Sequence, residues 1–151
     1  MKEPANSFDT GERLTTVRVR YPETDRMGVV YHAHYLVWFE LGRTELMRGL
    51  GCSYGSLEDD RGIFFPVTEA GTRYLAPARY DDVLLVETRL VSVGGARVRF
   101  RYRLTRPADG KLLVTGFTEH AAVGRDGRPL RLPGELHETL RAACTMEGHE
   151  P

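Results

Sequence analysis

Residues 97–104 alternate without a break, with Val98, Phe100, Tyr102 and Leu104 on one side and Arg97, Arg99, Arg101 and Arg103 on the other. A period of two is the pattern of a strand with one face buried and one face wet. Such a strand needs neighbours, and the flanking turns supply them. Gly94-Gly95 precedes it and Asp109-Gly110 follows it, each a short reversal of the hairpin kind. Beyond those turns stand "DVLLVETRLVSV" and "LLVTGFTEHAAV", both rich in strand-forming residues. Strands joined by tight turns run antiparallel, which excludes a doubly wound parallel sheet.

Two more strands and one long helix complete the pattern. "TTVRVRY" places Val17, Val19 and Tyr21 on one face and Arg18 and Arg20 on the other. "IFFPVTEAGTRYLAPA" reads as a long strand, bulged at Gly71 and ended by Pro77. Between them Leu36, Phe39, Leu46, Met47 and Leu50 recur at helical spacing, which predicts a helix over 36–50 with stop signals at Gly49 and Gly51. The continuous block from Leu36 to Phe39 predicts cover on more than one side. Residues 134–144 suit a terminal helix. The expected architecture is one α+β domain over 14–145, its antiparallel sheet curled around a single central helix, with a flexible tail at 1–13 and another at 146–151.

Charge removes several function classes. Lys+Arg and Asp+Glu each total 21, so no net field draws the chain to nucleic acid or to an anionic membrane. Cys52 and Cys144 have neither metal-ligand spacing nor a disulfide framework, which fits a reducing cytoplasm. No apolar run is long enough to span a bilayer, and the polar N-terminus carries no signal-peptide core. A Gly-rich phosphate loop, a nucleophile elbow and a Cys-His pairing are all missing from the sequence.

Chemistry concentrates in "YPETDRMGVVYHAHY", residues 21–35. Asp25 could be a turn aspartate capping backbone amides. The alternative is a carboxylate whose apolar neighbours, "MGVV", raise its proton affinity so that it acts as base or nucleophile. Gly28 permits a strained turn or close approach to a ligand. The helix start near 31–33 offers unpaired N–H groups and the positive end of a dipole, which suit a negative oxygen. His32 is an acid/base, an oxyanion donor or a solvent-facing histidine at the helix entry. Tyr21 belongs either to core or to pocket. A metal on His32 and His34 is disfavoured, because residues two apart on a helix point nearly opposite ways. Glu40 pairs with Arg43 three residues on, and His120 reads as a strand histidine satisfied by its neighbours.

The stretch "RVRYPETDRMGVVYHAHYLVWFELGRTELMRGLG" resembles the signature of hot-dog-fold acyl-CoA thioesterases of the 4-hydroxybenzoyl-CoA thioesterase class, and most of all the bacterial branch associated with the Tol-Pal system. Tyr21, Asp25, Gly28, Val30, Tyr31, His32, Tyr35, Glu40 and Arg43 fill its positions, and "APARYDDVLLVETRL" resembles a later strand that follows a proline turn with paired acids. Met27 departs from the small residue common at that place. The resemblance implies a hot-dog fold and thioester hydrolysis, with Asp25 as catalytic acid and Tyr21 and His32 in support. Gly28, Val30, Tyr31 and Tyr35, together with Pro66, are expected to line the substrate site. It further implies an acyl-CoA substrate with CoA entering as part of the substrate and no separate cofactor, a homodimer or homotetramer with active sites between chains, and acyl-carrier protein as an alternative carrier. Rival readings are a non-catalytic acyl-thioester-binding module, a hot-dog hydratase and an envelope-associated scaffold.

Overall fold

The structure is a computed structural model that describes residues 11–145. The elements in chain order are β1 (Glu12–Arg18), α1 (His34–Gly49), α2 (Tyr54–Arg61), β2 (Val67–Tyr74), β3 (Val83–Val93), β4 (Arg97–Arg106), β5 (Lys111–Ala121) and α3 (Gly134–Ala143). The five strands form one sheet in the order β1-β3-β4-β5-β2, and every neighbouring pair is antiparallel. β1 and β2 are therefore the edges. This is the expected α+β arrangement.

Hydrophobic alternation sets which face turns inward. Val98, Phe100, Tyr102 and Leu104 of β4 are all buried, as are Leu84, Val86 and Leu90 of β3. α1 lies on this inner face. Phe39 stacks flat on Tyr102, with ring centroids 4.3 Å apart and planes within 8° of parallel. The helix approaches so closely that glycines are required beneath it. A Cβ on Gly116 of β5 would sit 2.5 Å from the Phe39 ring and 2.7 Å from the Gly71 carbonyl oxygen. On the helix itself, a Cβ on Gly42 would collide with Thr88 of β3. Dense packing of this kind leaves no room for a methyl group.

Several boundaries differ from the sequence reading. β1 opens at Glu12, so the last residues of the expected N-terminal tail belong to the sheet. Gly11 is tied down as well, its N–H donating to Ala143 at 2.6 Å and its carbonyl accepting from Leu90 at 2.7 Å. The rest of that tail, and the whole of the tail at 146–151, lie outside the described residues. Gly71 makes no bulge. The register of β2 shifts between Val67 and Glu69, and Gly71 is small because the Phe117 ring lies against it. Helix α2 was not foreseen, although its signals are present: the Ser53 hydroxyl caps it by accepting from the Ser56 N–H, and Gly62 ends it at φ +64°. Finally, Trp38 and Phe39 are buried as expected, but Val37 of the same apolar block is 52% exposed and Leu36 and Leu41 are 39% exposed.

The close seat of α1 makes a prediction. Gly116→Ala will lower unfolding free energy by about 1–3 kcal/mol or more, because the added methyl meets β2 backbone that cannot step aside. Gly55→Ala, in open space on α2, will be neutral or slightly stabilising. Urea denaturation of the two variants checks this; equal midpoints would contradict it.

Candidate active site

After β1 the chain makes a single helical turn at Tyr21–Glu23 and then doubles back on itself. Thr24 and Val30 form an antiparallel bridge, the Asp25 N–H donates to Val29 at 2.8 Å, and the Gly28 N–H donates to Asp25 at 3.0 Å. Gly28 closes this loop at φ +77°, a backbone state that favours glycine. The loop is strapped outward too, since the Val30 N–H donates to Ala78 at 2.9 Å and Val29 bridges Arg79. Asp25 thus sits near the head of a braced loop. Its Oδ1 accepts from the Met27 N–H at 2.8 Å, and the carboxylate is exposed to solvent. The turn-capping role and a chemical role are compatible, because capping uses only one of the two oxygens.

The start of α1 lies across from this loop. Ala33 offers no capping side chain. The His34 N–H is used by Tyr31 at 2.9 Å and the Leu36 N–H by Ala33 at 3.3 Å. Among the described residues, the N–H groups of His32 and Ala33 have no acceptor. They form the donor end of the helix. The His32 carbonyl accepts from the Tyr74 hydroxyl at 2.8 Å, which fixes the helix entry to the end of edge strand β2. The His32 ring stays exposed, 4.6 Å from the Tyr31 ring and 6.4 Å from that of Tyr74.

The pair that joins loop and helix was missed in the sequence. Glu23 is only 6% exposed, with one oxygen accepting from the Arg20 N–H at 2.6 Å and the other lying 2.5 Å from His34 Nε2. The Glu23 carbonyl also accepts from the Tyr31 N–H at 2.9 Å. Burial alone would raise its pKa, but the Arg20 amide and guanidinium and the neighbouring His34 together hold it below the ordinary value. The sequence signal was available, since an acid and a histidine flank the Asp25 loop. It was masked because turn-prone acids are common on surfaces. His34 contacts a carboxylate, and its ring also packs edge-on against Trp38.

The other expected site residues fall in different places. Tyr21 is 74% exposed, its ring edge-on to Tyr80 at 5.9 Å. Tyr31 is half-exposed, whereas Val30 points into the core. Tyr35 is buried against Trp38 and Tyr74, and its hydroxyl accepts from the Ala78 N–H at 3.3 Å. Pro66 precedes β2 at the end opposite Tyr74, roughly 26 Å away at the usual rise per strand residue. Within one chain it does not join the others. His120 is fully buried, with Nδ1 3.0 Å from the Phe65 carbonyl and Nε2 2.8 Å from the Thr118 hydroxyl. Burial pushes its pKa down to about 4, so it is a neutral structural histidine at pH 7.

Comparison with known proteins places this geometry in a class. Residues 19–141 match the model of the Thioesterase-like superfamily, and the chain belongs to that family. It is similar to the acyl-CoA thioester hydrolase YbgC of Escherichia coli, 40% identical over 97 residues that cover 64% of this chain and 71% of that one. A hypothetical protein of Thermus thermophilus superposes with a TM-score of 0.82 at 40% identity, covering 89% of this chain and 98% of that one. The DHNA-CoA thioesterase of Staphylococcus aureus superposes with a TM-score of 0.81 at 33% identity, covering 86% and 89% respectively. The fold is the hot-dog fold of these thioesterases.

The buried Glu23 predicts an acid-sensitive loop. Its pKa is lowered on folding, so the stability of its charged form is in place above the ordinary glutamate value of 4.5 and is lost as pH falls below it. Glu23→Ala should cost about 3 kcal/mol at pH 7 by leaving its partners unpaired. Glu23→Gln should flatten the acid limb of the stability curve, measured by urea midpoints between pH 3 and 7. An unchanged limb would remove Glu23 as its source.

Proposed function

We propose that the protein hydrolyses an acyl-CoA thioester to the free acid and CoA. The observation that carries this reading is the braced Asp25 loop set beside a helix start whose first N–H groups lack acceptors. The acyl carbonyl oxygen would rest on the amides of His32 and Ala33, whose hydrogen bonds strengthen as negative charge develops there. One such donor is worth roughly 10²- to 10³-fold in rate. Asp25 would use its uncapped oxygen to activate water, or attack the carbonyl carbon directly to give an acyl-aspartyl anhydride that water then opens. In both routes the C–S bond breaks and the electron pair leaves on sulfur. A thiol pKa of about 8.5 makes the thiolate a competent leaving group without a strong acid. The relatives named as acyl-CoA thioesterases support CoA as carrier. Free thiols at Cys52 and Cys144 suit a cytoplasmic setting, and no helix among the described residues is long and apolar enough to cross a membrane.

The same reading includes a second copy of the chain. β2 is an edge strand with mostly exposed residues, and α1 leaves Leu36, Val37 and Leu41 uncovered. An unpaired edge beside an apolar face invites isologous pairing. Two β2 strands meeting antiparallel would bring Pro66 of one copy next to Tyr74 of the other. That supplies a physical reason for Pro66 to share a site with Asp25, which a single chain does not provide.

Purified protein should release thiol from at least one member of a panel of short, long and aromatic acyl-CoAs. Asp25→Asn should lower kcat by two orders of magnitude or more with the unfolding midpoint retained. Full activity in that variant would rule out Asp25. Sedimentation should give at least twice the mass of the chain.

A further inference from the structure

Most of the inner face of the sheet is apolar, but a line of polar side chains crosses it beneath α1. Tyr102 of β4 and Thr118 and His120 of β5 are all buried there. Register brings them together, since Tyr102 pairs with Gly116 and Phe100 with Thr118, which makes Tyr102 and Thr118 diagonal neighbours. Their polar atoms form a continuous chain. The Tyr102 hydroxyl lies 2.6 Å from Thr118 Oγ1, and that oxygen lies 2.8 Å from His120 Nε2. His120 Nδ1 is 3.0 Å from the Phe65 carbonyl oxygen. At the other end Arg43 of α1 hydrogen-bonds the hydroxyls of Tyr102 and Tyr54.

The two ends fix the direction of every bond. A carbonyl oxygen only accepts, so His120 carries its proton on Nδ1 and donates it to Phe65. Burial keeps the ring neutral, so Nε2 is bare and accepts from the Thr118 hydroxyl. With its one proton in use, Thr118 accepts from Tyr102, and Tyr102 accepts from Arg43, which only donates. Arg43, Tyr102, Thr118 and His120 thus point one way, from α1 to the Phe65 carbonyl.

Packing alone does not ask for this chain. Apolar side chains of the same shape would fill the space without burying hydroxyls and a ring nitrogen. A fully satisfied polar network does something they cannot, which is to specify one arrangement. Here it specifies the peptide unit between Phe65 and Pro66. The oxygen of that unit belongs to Phe65 and its nitrogen to Pro66, so holding the oxygen sets the plane of the unit and the place of the Pro66 ring. Pro66 has no N–H with which to enter a ladder. On one side Phe64 exchanges two bonds of 2.9 Å with Val123, and on the other the register slips between Val67 and Glu69. His120 therefore controls a peptide whose orientation strand pairing leaves open.

Position gives that peptide a use. Pro66 and Val67 are exposed at the start of an edge strand. In the antiparallel β2 pairing described above, this end of β2 meets the other copy's Tyr74 end, where a tyrosine hydroxyl holds the His32 carbonyl at the helix entry. The Phe65–Pro66 unit of one copy then stands as a wall beside the free helix-entry amides of the other.

We propose that His120 is a positioning residue for acyl specificity, which through the Phe65 carbonyl sets the Pro66 wall against which the acyl group in the second copy's site lies. The proposal rests on the hydrolase reading and its two-chain site, and deepens both. A wall displaced by about 1 Å moves a bulky acyl group off the amides, whereas an acyl group too short to reach it stays in place.

The test uses the full chain. His120→Leu removes the donor, and His120→Asn restores an amide nitrogen near the place of Nδ1. Thr118→Val/Tyr102→Phe keeps His120 but removes the hydroxyls that hold its ring, and Leu140→Ala in α3 is the control for lost core packing. kcat and KM are measured over acyl-CoAs from acetyl to long-chain and aromatic acids. Each protein is also titrated calorimetrically with CoA and with CoA thioethers of matching chains, which cannot be hydrolysed. Relative to the shortest substrate cleaved, His120→Leu should lower kcat/KM for the bulkiest one about tenfold or more. It should weaken the matching thioether similarly and leave CoA unaffected. The double variant should shift the same ratio less, and His120→Asn should recover most of it. Leu140→Ala should unfold at lower urea with the wild-type ratio, and all variants should sediment with the wild-type mass.

An unchanged ratio and thioether affinity in His120→Leu would overturn the positioning role, as would an equal change in Leu140→Ala. If His120→Leu does not fold, the double variant decides, and a wild-type ratio there overturns the proposal. A halved mass in the folded variants would overturn it in favour of a role in assembly. If no thioester is cleaved yet His120→Leu selectively weakens the bulky thioether, the hydrolase reading falls and the positioning role stands. If thioesters are cleaved and His120→Leu keeps the wild-type order of substrates, the reverse holds.

Discussion

Everything in this molecule is referred to the close contact between α1 and the inner face of the sheet. Phe39 lies flat on Tyr102, and its ring occupies space over Gly116 that any side chain on β5 would need. The same helix crosses β3 where Gly42 meets Thr88. Two glycines on different elements, one in the sheet and one in the helix, allow an approach that larger residues forbid. Because interiors are packed near crystal density, this contact fixes where the helix begins as well as where it lies.

From that fixed point the loop before α1 acquires its shape. Glu23 reaches back into a nearly dry position and holds His34, while its carbonyl takes the Tyr31 amide. Tyr74 holds the next carbonyl from the opposite side. The two free amides at the helix entry are thereby presented by a frame tied to both β1 and β2. Asp25 stands outside this frame at the surface, where a capped turn keeps its carboxylate in place without burying it. Preorganisation of the donors and mobility of water around the acid suit a reaction whose leaving group requires little help.

The strand pattern was legible because its cause is local. Alternation in Val98 to Leu104 reports a half-buried strand wherever it occurs, and Asp109-Gly110 can hardly be read otherwise. The turn at Asp25 and Gly28 and the nearby helix entry were legible for a similar reason, since turn geometry is set within short segments. Gly71 was misread as a bulge because a glycine in a strand has two explanations, and only the Phe117 ring across the register distinguishes them. Glu23 was passed over because nothing in "YPETD" says which of its two acids turns inward. Burial of a charge is decided by the partners the fold sets against it, here His34 of α1 as well as the neighbouring Arg20.

By itself the amino-acid order determined one α+β domain, an antiparallel sheet, a single dominant helix and a tight polar loop between the first strand and that helix. Periodicity and turn chemistry act over a few residues, so they survive in the one-dimensional string. Tertiary structure alone decided that Tyr102 meets Thr118, that His120 holds the Phe65 carbonyl, and that Tyr74 of an edge strand touches the helix entry. Those facts depend on register between segments distant in sequence, and register is set by the whole packed sheet, not by any strand taken alone.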